Sequence, residues 1–254
     1  MTIIIISLLL LASLLPHLTF TDHVNVGIVN GRKTTPHSRP YMVSVQKCNK
    51  HHCGGFLISE KYVLTAAHCW PGFEFLTVVV GADDLRKSKK SDHIRVKSSI
   101  PHPKYNPCTS ENDIMLLKLE KKVKIKEDEL ISIPKKEAEI KAGTLCTVAG
   151  WGSVKPDGKG TSNDLMEANT TVLSQAECKK KWKDEFSEQQ MICVYGPGGT
   201  CSGDSGGPLI CEGTAVGVTS FGLNGHCNSP DGPNVYTKIS AYIKWINKVI
   251  RNVK

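Results

Sequence analysis

The sequence predicts an all-β protein that ends in a single amphipathic helix. Short segments rich in β-branched residues alternate apolar and polar side chains, which is the period of a half-buried strand. Clusters of Gly, Pro, Asn and Asp separate these segments at short intervals, as they do in barrels and sandwiches. With 254 residues, 40% of them hydrophobic, the chain is long enough for one large or two small packed domains.

Nine segments are predicted to be strands. In chain order they are 41–46, 56–66, 75–81, 93–100, 113–119, 143–152, 168–173, 215–221 and 234–239. The tail that follows places Ile243, Ile246 and Ile250 at helical spacing, so we expect the chain to close with an amphipathic helix.

An apolar run over residues 1–15 ends at Pro16 and has the length of a signal-peptide core. Thr19 and Thr21 flank Phe20 in a small-x-small pattern, so residues 1–21 are predicted to be a signal peptide. No second apolar run follows, and we expect no membrane span. The sequence therefore predicts a protein that is secreted or stored in the lumen of secretory granules.

Basic residues exceed acidic ones, which gives a formal charge of +8 and a pI near 8.9. Lysine-rich stretches at 86–90, 121–126 and 179–183 are predicted to be solvated loops. A soluble, lysine-rich surface explains this charge, and a surface that binds polyanions such as sulfated glycans is the alternative. A nucleic-acid partner is not expected.

Ten cysteines fit an oxidising compartment, where disulfides persist. None has the C-x-x-C spacing of a metal site, and the segment 82–92 is dominated by basic residues. We therefore expect a disulfide framework, with neither a metal ion nor a cofactor.

Three segments carry residues that together form a nucleophile and its base. They are LTAAHCW with His68, NDIMLLKL with Asp113, and CSGDSGGPL with Ser205. A serine hydroxyl is a poor nucleophile unless a base takes its proton, and that base needs a group that fixes its tautomer. Each residue alone is ordinary, whereas the three in these contexts and this order predict a catalytic triad.

The segments IVNG at 28–31, AAHC and GDSGGPL resemble the chymotrypsin-like serine protease family, over essentially all of residues 28–254. The resemblance implies two packed six-stranded antiparallel Greek-key β-barrels, at about 28–135 and 136–240, and a terminal helix at 240–254. It implies that Ser205 is the nucleophile, His68 the general base and then acid, and Asp113 its orienting group. The amides of Gly203 and Ser205 would form the oxyanion hole.

The resemblance also implies an inactive precursor. Cleavage before Ile28 would free an amine that pairs with Asp204 in the interior. The residue before the cleavage point is Gly27, and 22–27 would be a short propeptide of three dipeptides. This resembles the granule proteases of immune cells, the granzymes and mast-cell proteases, whose short propeptides a dipeptidyl peptidase removes.

The primary specificity pocket implied by the resemblance carries no charged residue. Its residues are Gly199, Thr200, Ser220, Phe221, Gly222 and Asn234. We expect a deep pocket with a glycine floor that rejects Arg and Lys and accepts large apolar side chains. Because a buried amide needs hydrogen-bond partners, Asn234 leaves open a preference for Met, Asn or another polar tip. Asp231 is expected to lie outside the pocket.

Disulfides follow from the same resemblance. The implied pairs are Cys53–Cys69, Cys146–Cys211, Cys178–Cys193 and Cys201–Cys227. Cys48 and Cys108 have no partner among these implied pairs, and each could be a free thiol or form an intermolecular disulfide that links a dimer. The sequon at Asn169 is a candidate glycosylation site, although it falls on a predicted strand.

Protein and peptide substrates and protein inhibitors are the partners that a serine protease implies. The alternative functions are a catalytically inactive cationic relative that acts as a binding or antimicrobial protein, and a digestive chymotrypsin. Retention of all three triad residues argues against the first. The basic charge and the short propeptide without Arg or Lys argue against the second.

Overall fold

A computed structural model describes residues 28–70, 72 and 75–252. The signal peptide and propeptide predicted for 1–27 lie outside these described residues. Within them the strands are β1 (Arg32–Lys33), β2 (Met42–Lys47), β3 (Lys50–Ser59), β4 (Tyr62–Thr65), β5 (Leu76–Val80), β6 (His93–Pro101), β7 (Met115–Leu119), β8 (Leu145–Gly150), β9 (Met166–Val172), β10 (Met191–Tyr195), β11 (Pro208–Cys211), β12 (Thr214–Phe221) and β13 (Asn234–Lys238). The α-helices are α1 (Gln175–Trp182) and α2 (Ile243–Asn252).

The first six-stranded unit is an antiparallel barrel in the order β2-β3-β4-β7-β6-β5. It closes because β2 pairs with β3 along one edge and with β5 along the other. Inward side chains such as Val43, Phe56 and Leu116 are completely buried, so the barrel is a packed core and encloses no channel.

The second barrel joins β8, β9, β10, β13, β12 and β11, and it closes because β8 pairs with both β9 and β11. The two-residue strand β1 adds to the outside of β9. Val148, Leu209 and Tyr236 fill the interior of this barrel, each without measurable exposure.

The two barrels share one apolar interface. A single cluster of buried side chains includes Phe56 of the first barrel, Val218 of the second, and Trp151 just after β8. The closing helix α2 buries Ile243 and Ile246 against the same cluster. Two six-stranded antiparallel barrels and a C-terminal helix confirm the predicted fold class.

Each of the nine predicted strand segments contains a strand, and one predicted segment covers parts of two observed strands. Segment 56–66 is the end of β3 and the whole of β4, which pair across a turn at Glu60 and Lys61. No sequence pattern predicted β1, β10, β11 or α1. These elements are two to eight residues long, which is too short for a clear period.

The prediction that 179–183 is a solvated loop was wrong for most of that segment. Residues up to Trp182 belong to α1. Ser174 and Glu177 form a capping box, in which Glu177 N donates to Ser174 Oγ at 3.2 Å and Ser174 N donates to Glu177 Oε2 at 3.0 Å. Lysine favours helices, and this cap fixes where the helix begins.

The structure contains the four implied disulfides, Cys53–Cys69, Cys146–Cys211, Cys178–Cys193 and Cys201–Cys227. Cys48 and Cys108 are exposed free cysteines. Across the described residues no helix combines the length and the apolar character that crossing a bilayer requires. Asn169 is an exposed position on β9.

Candidate active site

His68 and Asp113 meet at the edge of the first barrel. His68 lies in a tight 3₁₀ turn, Ala67–Cys69, that begins just after β4. Its neighbour Cys69 is joined to Cys53 on β3, which fixes the turn to the barrel wall. Asp113 lies just before β7 and is 1% exposed.

The Asp113 carboxylate is paired on both oxygens. Oδ1 accepts the backbone N–H of His68 at 2.9 Å, and Oδ2 accepts the ring Nδ1–H of His68 at 2.7 Å. Ser220, from the second barrel, donates its hydroxyl to Oδ2 at 2.5 Å. Because a carboxylate needs a donor at Nδ1, the proton of neutral His68 resides there, and Nε2 is left as a base.

Ser205 lies in a tight turn of main chain. Gly207 N donates to Asp204 O at 2.9 Å and Gly206 N to Thr219 O at 2.8 Å, while Ser205 O accepts Gly54 N at 2.8 Å. Ser205 and His68 line the same cavity, of about 250 Å³. Within the described residues no hydrogen bond joins these two side chains, and catalytic contacts of this kind often tighten only around substrate.

Glycine is required at two positions of this turn by its backbone angles. Gly203 has φ +95° and Gly206 has φ +81°, values that side chains strongly disfavour. A Cβ on Gly203 would lie 3.0 Å from the Cα of Gly152. These two glycines therefore let the main chain turn tightly on either side of Ser205.

His51 supports this loop, a role that the sequence analysis missed. Its Nε2–H donates to Gly203 O at 2.9 Å, so Nδ1 must accept the hydroxyl of Ser44 at 2.8 Å. Burial lowers the pKa of His51 to about 4, and the ring is neutral at physiological pH. No sequence pattern marked His51, since its contact with Gly203 spans 152 positions of the chain.

Asp204 and Ile28 are both completely buried. Asp204 accepts Gly152 N at 2.8 Å and Cys201 N at 3.0 Å, and burial nevertheless raises its pKa to about 7. The segment at Ile28 is held by Val29, which exchanges two backbone hydrogen bonds with Gly199 at 3.0 and 3.1 Å. The predicted activation residues thus lie in the interior, beside the loop that carries Ser205.

Five of the six predicted pocket residues line the cavity beside Ser205. They are Thr200, Ser220, Phe221, Gly222 and Asn234. The cavity's other lining residues include Cys201 and Cys227, so their disulfide borders it. Apart from His68, no titratable side chain lies among the described lining residues.

Gly199 was expected to form the floor of a deep pocket, and it is not among the residues that line the described cavity. Asn234 Oδ1 lies 2.5 Å from the point where a Cβ on Gly199 would be, so the asparagine amide covers the glycine. The floor of the cavity is therefore polar. Asp231 lies away from it, with a side chain that is 83% exposed and 3.2 Å from Lys181 Nζ.

The described residues bring Cys53, His68 and Cys69 within ligand distance of one another. The two sulfurs are joined to each other and are not thiolates, so this group does not offer the ligands of a zinc site.

Comparisons with known proteins agree on one family. Residues 28–246 match the family described as Trypsin. Granzyme B(G,H) of Mus musculus is 39% identical over 233 residues, which are 89% of this chain and 92% of that protein. Duodenase-1 of Bos taurus is 40% identical over 237 residues, which are 89% of this chain and 90% of that protein. Among solved structures, neuropsin, a serine protease expressed in the limbic system of mouse brain, matches with a TM-score of 0.79 at 34% identity, over 88% of this chain and 100% of that one.

Proposed function

The chain belongs to the trypsin family of serine endopeptidases, and we propose that it cleaves peptide bonds through an acyl-enzyme formed on Ser205. The observation that carries this proposal is the buried Asp113 carboxylate bonded to Nδ1 of His68 at 2.7 Å. It leaves Nε2 of His68 as the base on the cavity wall that also carries Ser205.

In the acylation step, the Ser205 hydroxyl attacks the substrate carbonyl carbon while His68 Nε2 takes its proton. The imidazolium that forms is stabilised by the adjacent Asp113 carboxylate, and its proton then passes to the leaving amine. In deacylation, His68 Nε2 takes a proton from a water molecule as that water attacks the acyl carbon, and it then gives this proton to the Ser205 oxygen as the acid product leaves. His68 acts first as base and then as acid.

The oxyanion that develops on the carbonyl needs preorganised donors. The amides of Gly203 and Ser205 are the proposed donors, and the tight turn around them supports this assignment. One such donor contributes about 10²–10³-fold to the rate. His51 would act as a positioning residue here, because it bonds the carbonyl of Gly203.

We infer that the protein is made as a zymogen. Burial raises the pKa of Asp204 to about 7, so this carboxyl needs a cation before it ionises fully in the interior. An amine freed at Ile28 would supply that cation, and Ile28 is itself fully buried. Removal of the dipeptides in 22–27, as in granule proteases, is the proposed activation step.

The uncharged lining of the pocket supports cleavage after large uncharged residues rather than after Arg or Lys. No carboxylate lines the described cavity to pair with a cationic side chain, and burying an unpaired charge is costly. Storage in granules or secretion, and inhibition by protein inhibitors of serine proteases, complete the proposal.

A fluorophosphonate probe tests the proposed chemistry. Mature protein with Ile28 at its N-terminus should form a covalent adduct, and Ser205→Ala should form none. The precursor that retains 22–27 should react far more slowly. Absence of labelling in the mature form would overturn the proposal and favour a binding function.

A further inference from the structure

Two asparagine side chains converge on Gly199, and one of them, Asn234, lines the cavity. The amide oxygens of Asn234 and Asn228 lie 2.5 Å and 2.6 Å from the same point, the place where a Cβ on Gly199 would be. The two oxygens are therefore within about 5 Å of each other, close enough for one donor group to contact both. Asn234 is 5% exposed and lines the cavity.

The orientation of Asn234 is fixed by its hydrogen bonding. Its Nδ2 donates to Thr200 O at 3.0 Å, and since a carbonyl accepts only from the amide nitrogen, Oδ1 must face the other way. Among the described residues, no donor is bonded to this Oδ1. Asn234 Oδ1 therefore remains without a protein donor among the described residues and is available to an incoming group.

Asn228 is oriented in the same way. Its Nδ2 donates to Gly196 O at 3.2 Å and to Pro197 O at 3.3 Å. Its backbone has φ 57°, a left-handed conformation that asparagine tolerates better than most residues. Both amides thus turn their nitrogen toward main-chain carbonyls and their oxygen toward Gly199.

We propose that Asn234, supported by Asn228, selects substrates whose side chain at the cleavage position is uncharged and ends in a hydrogen-bond donor. Tyrosine and glutamine have such tips, whereas phenylalanine and methionine of similar size do not. A donor would satisfy the free oxygen of Asn234, while an apolar tip would leave it buried and unpaired. This inference rests on the proposed function and takes up the polar-tip preference that Asn234 left open in the sequence, in place of the large apolar one that the sequence favoured.

Two matched pairs of peptides test it on the mature enzyme. One pair differs only in Tyr or Phe at the cleavage position, and the other only in Gln or Met. The donor member of at least one pair is expected to have a kcat/KM about tenfold higher, the effect of one neutral hydrogen bond. Phe and Met cleaved as well as or better than their partners would overturn the proposal.

The variant Asn234→Leu removes the amide at similar volume, and the donor preference should disappear. Asn163→Leu makes the same change at an exposed position outside the cavity and should leave the preference unchanged. A preference that survives in Asn234→Leu would assign it to another group and overturn the proposal.

Fluorophosphonate titration counts the active sites in every preparation, so kcat/KM refers to folded enzyme only. Wild-type enzyme that takes the label yet prefers Phe and Met disproves the pocket inference alone. Wild-type enzyme that takes no label and cleaves no peptide disproves the proposed function.

Discussion

At the scale of single residues, the site depends on which nitrogen of each histidine carries the proton. The carboxylate of Asp113 fixes His68 with its proton on Nδ1, and the carbonyl of Gly203 fixes His51 with its proton on Nε2. The two imidazoles therefore have opposite tautomers, because one acceptor oxygen lies at Nδ1 of its ring and the other lies at Nε2 of its ring.

Asp113→Asn is expected to reduce kcat by about 10⁴-fold, the loss established for this substitution in enzymes of this fold. An amide in place of the carboxylate would let Nε2 hold the proton, so His68 could no longer act as a base. The ratio of kcat values, with active sites counted after long labelling, checks the prediction. A loss below about tenfold would contradict the assigned role of Asp113.

The His51 side chain is expected to make the protein less stable in acid. Its pKa is about 4 in the folded protein, against about 6.5 in an unfolded chain. Between these values only the unfolded chain binds the proton, so the free energy of unfolding falls as the pH drops from 6.5 toward 4, by at most about 3 kcal/mol.

Urea unfolding of wild type and His51→Gln across this pH range measures the effect. Glutamine can still donate to Gly203 O but does not titrate, so the variant should lose less stability in acid. Equal pH slopes for the two proteins would show that another group is responsible.

At the scale of elements, the segment at Ile28 contacts the loop that carries Ser205. Val29 pairs with Gly199, β1 pairs with β9, and Asp204 lies buried between Gly152 and Cys201. A change at Ile28 therefore acts directly on a turn that is roughly 170 residues away in sequence.

The precursor is expected to lose stability as the pH rises toward 7. Burial raises the pKa of Asp204 to about 7, above its unfolded value of about 3.8, so the folded precursor keeps a proton that the unfolded chain has lost. The stability due to this proton is complete below pH 3.8 and disappears as the pH rises through 7, a change of a few kcal/mol.

In the mature enzyme the amine of Ile28 should stabilise the carboxylate and remove this dependence. Unfolding curves of precursor and mature forms at about pH 5 and pH 8 compare the two directly. Asp204→Asn in the precursor should abolish the difference between the two pH values. A precursor that is equally stable at both would contradict the interpretation.

At the scale of the whole molecule, we expect the two barrels to unfold as one unit. Residues of both barrels and of α2 belong to one buried cluster, so neither barrel can keep its apolar surface covered without the other. The extended contact between them also places Ser220 of the second barrel on Asp113 of the first.

Ile246→Ala in α2 is therefore expected to destabilise both barrels together. Ile246 is 1% exposed, and truncating such a side chain costs about 2–5 kcal/mol. Circular dichroism and tryptophan fluorescence should report one common, lowered melting temperature. Two separate transitions would show that the barrels unfold independently.

Sequence motifs and the alternation of apolar and polar residues predicted much of this architecture. Most of the features that they did not predict depend on how side chains are oriented in the folded protein. The triad segments and the long alternating strands were identifiable because each has a local pattern. The role of His51 and the cover over Gly199 were not, since both depend on contacts between distant segments. The strand β11, four residues long, was too short to show a period.

The division of the site between two barrels has a consequence for the cell that makes the protein. His68 and Asp113 emerge from the ribosome long before Ser205, and the base faces its hydroxyl only when both halves have closed on each other. A nascent chain that ends before Ser205 therefore has the base without its nucleophile. Docking of the second barrel would therefore be required before the proposed removal of 22–27 could produce an active protease.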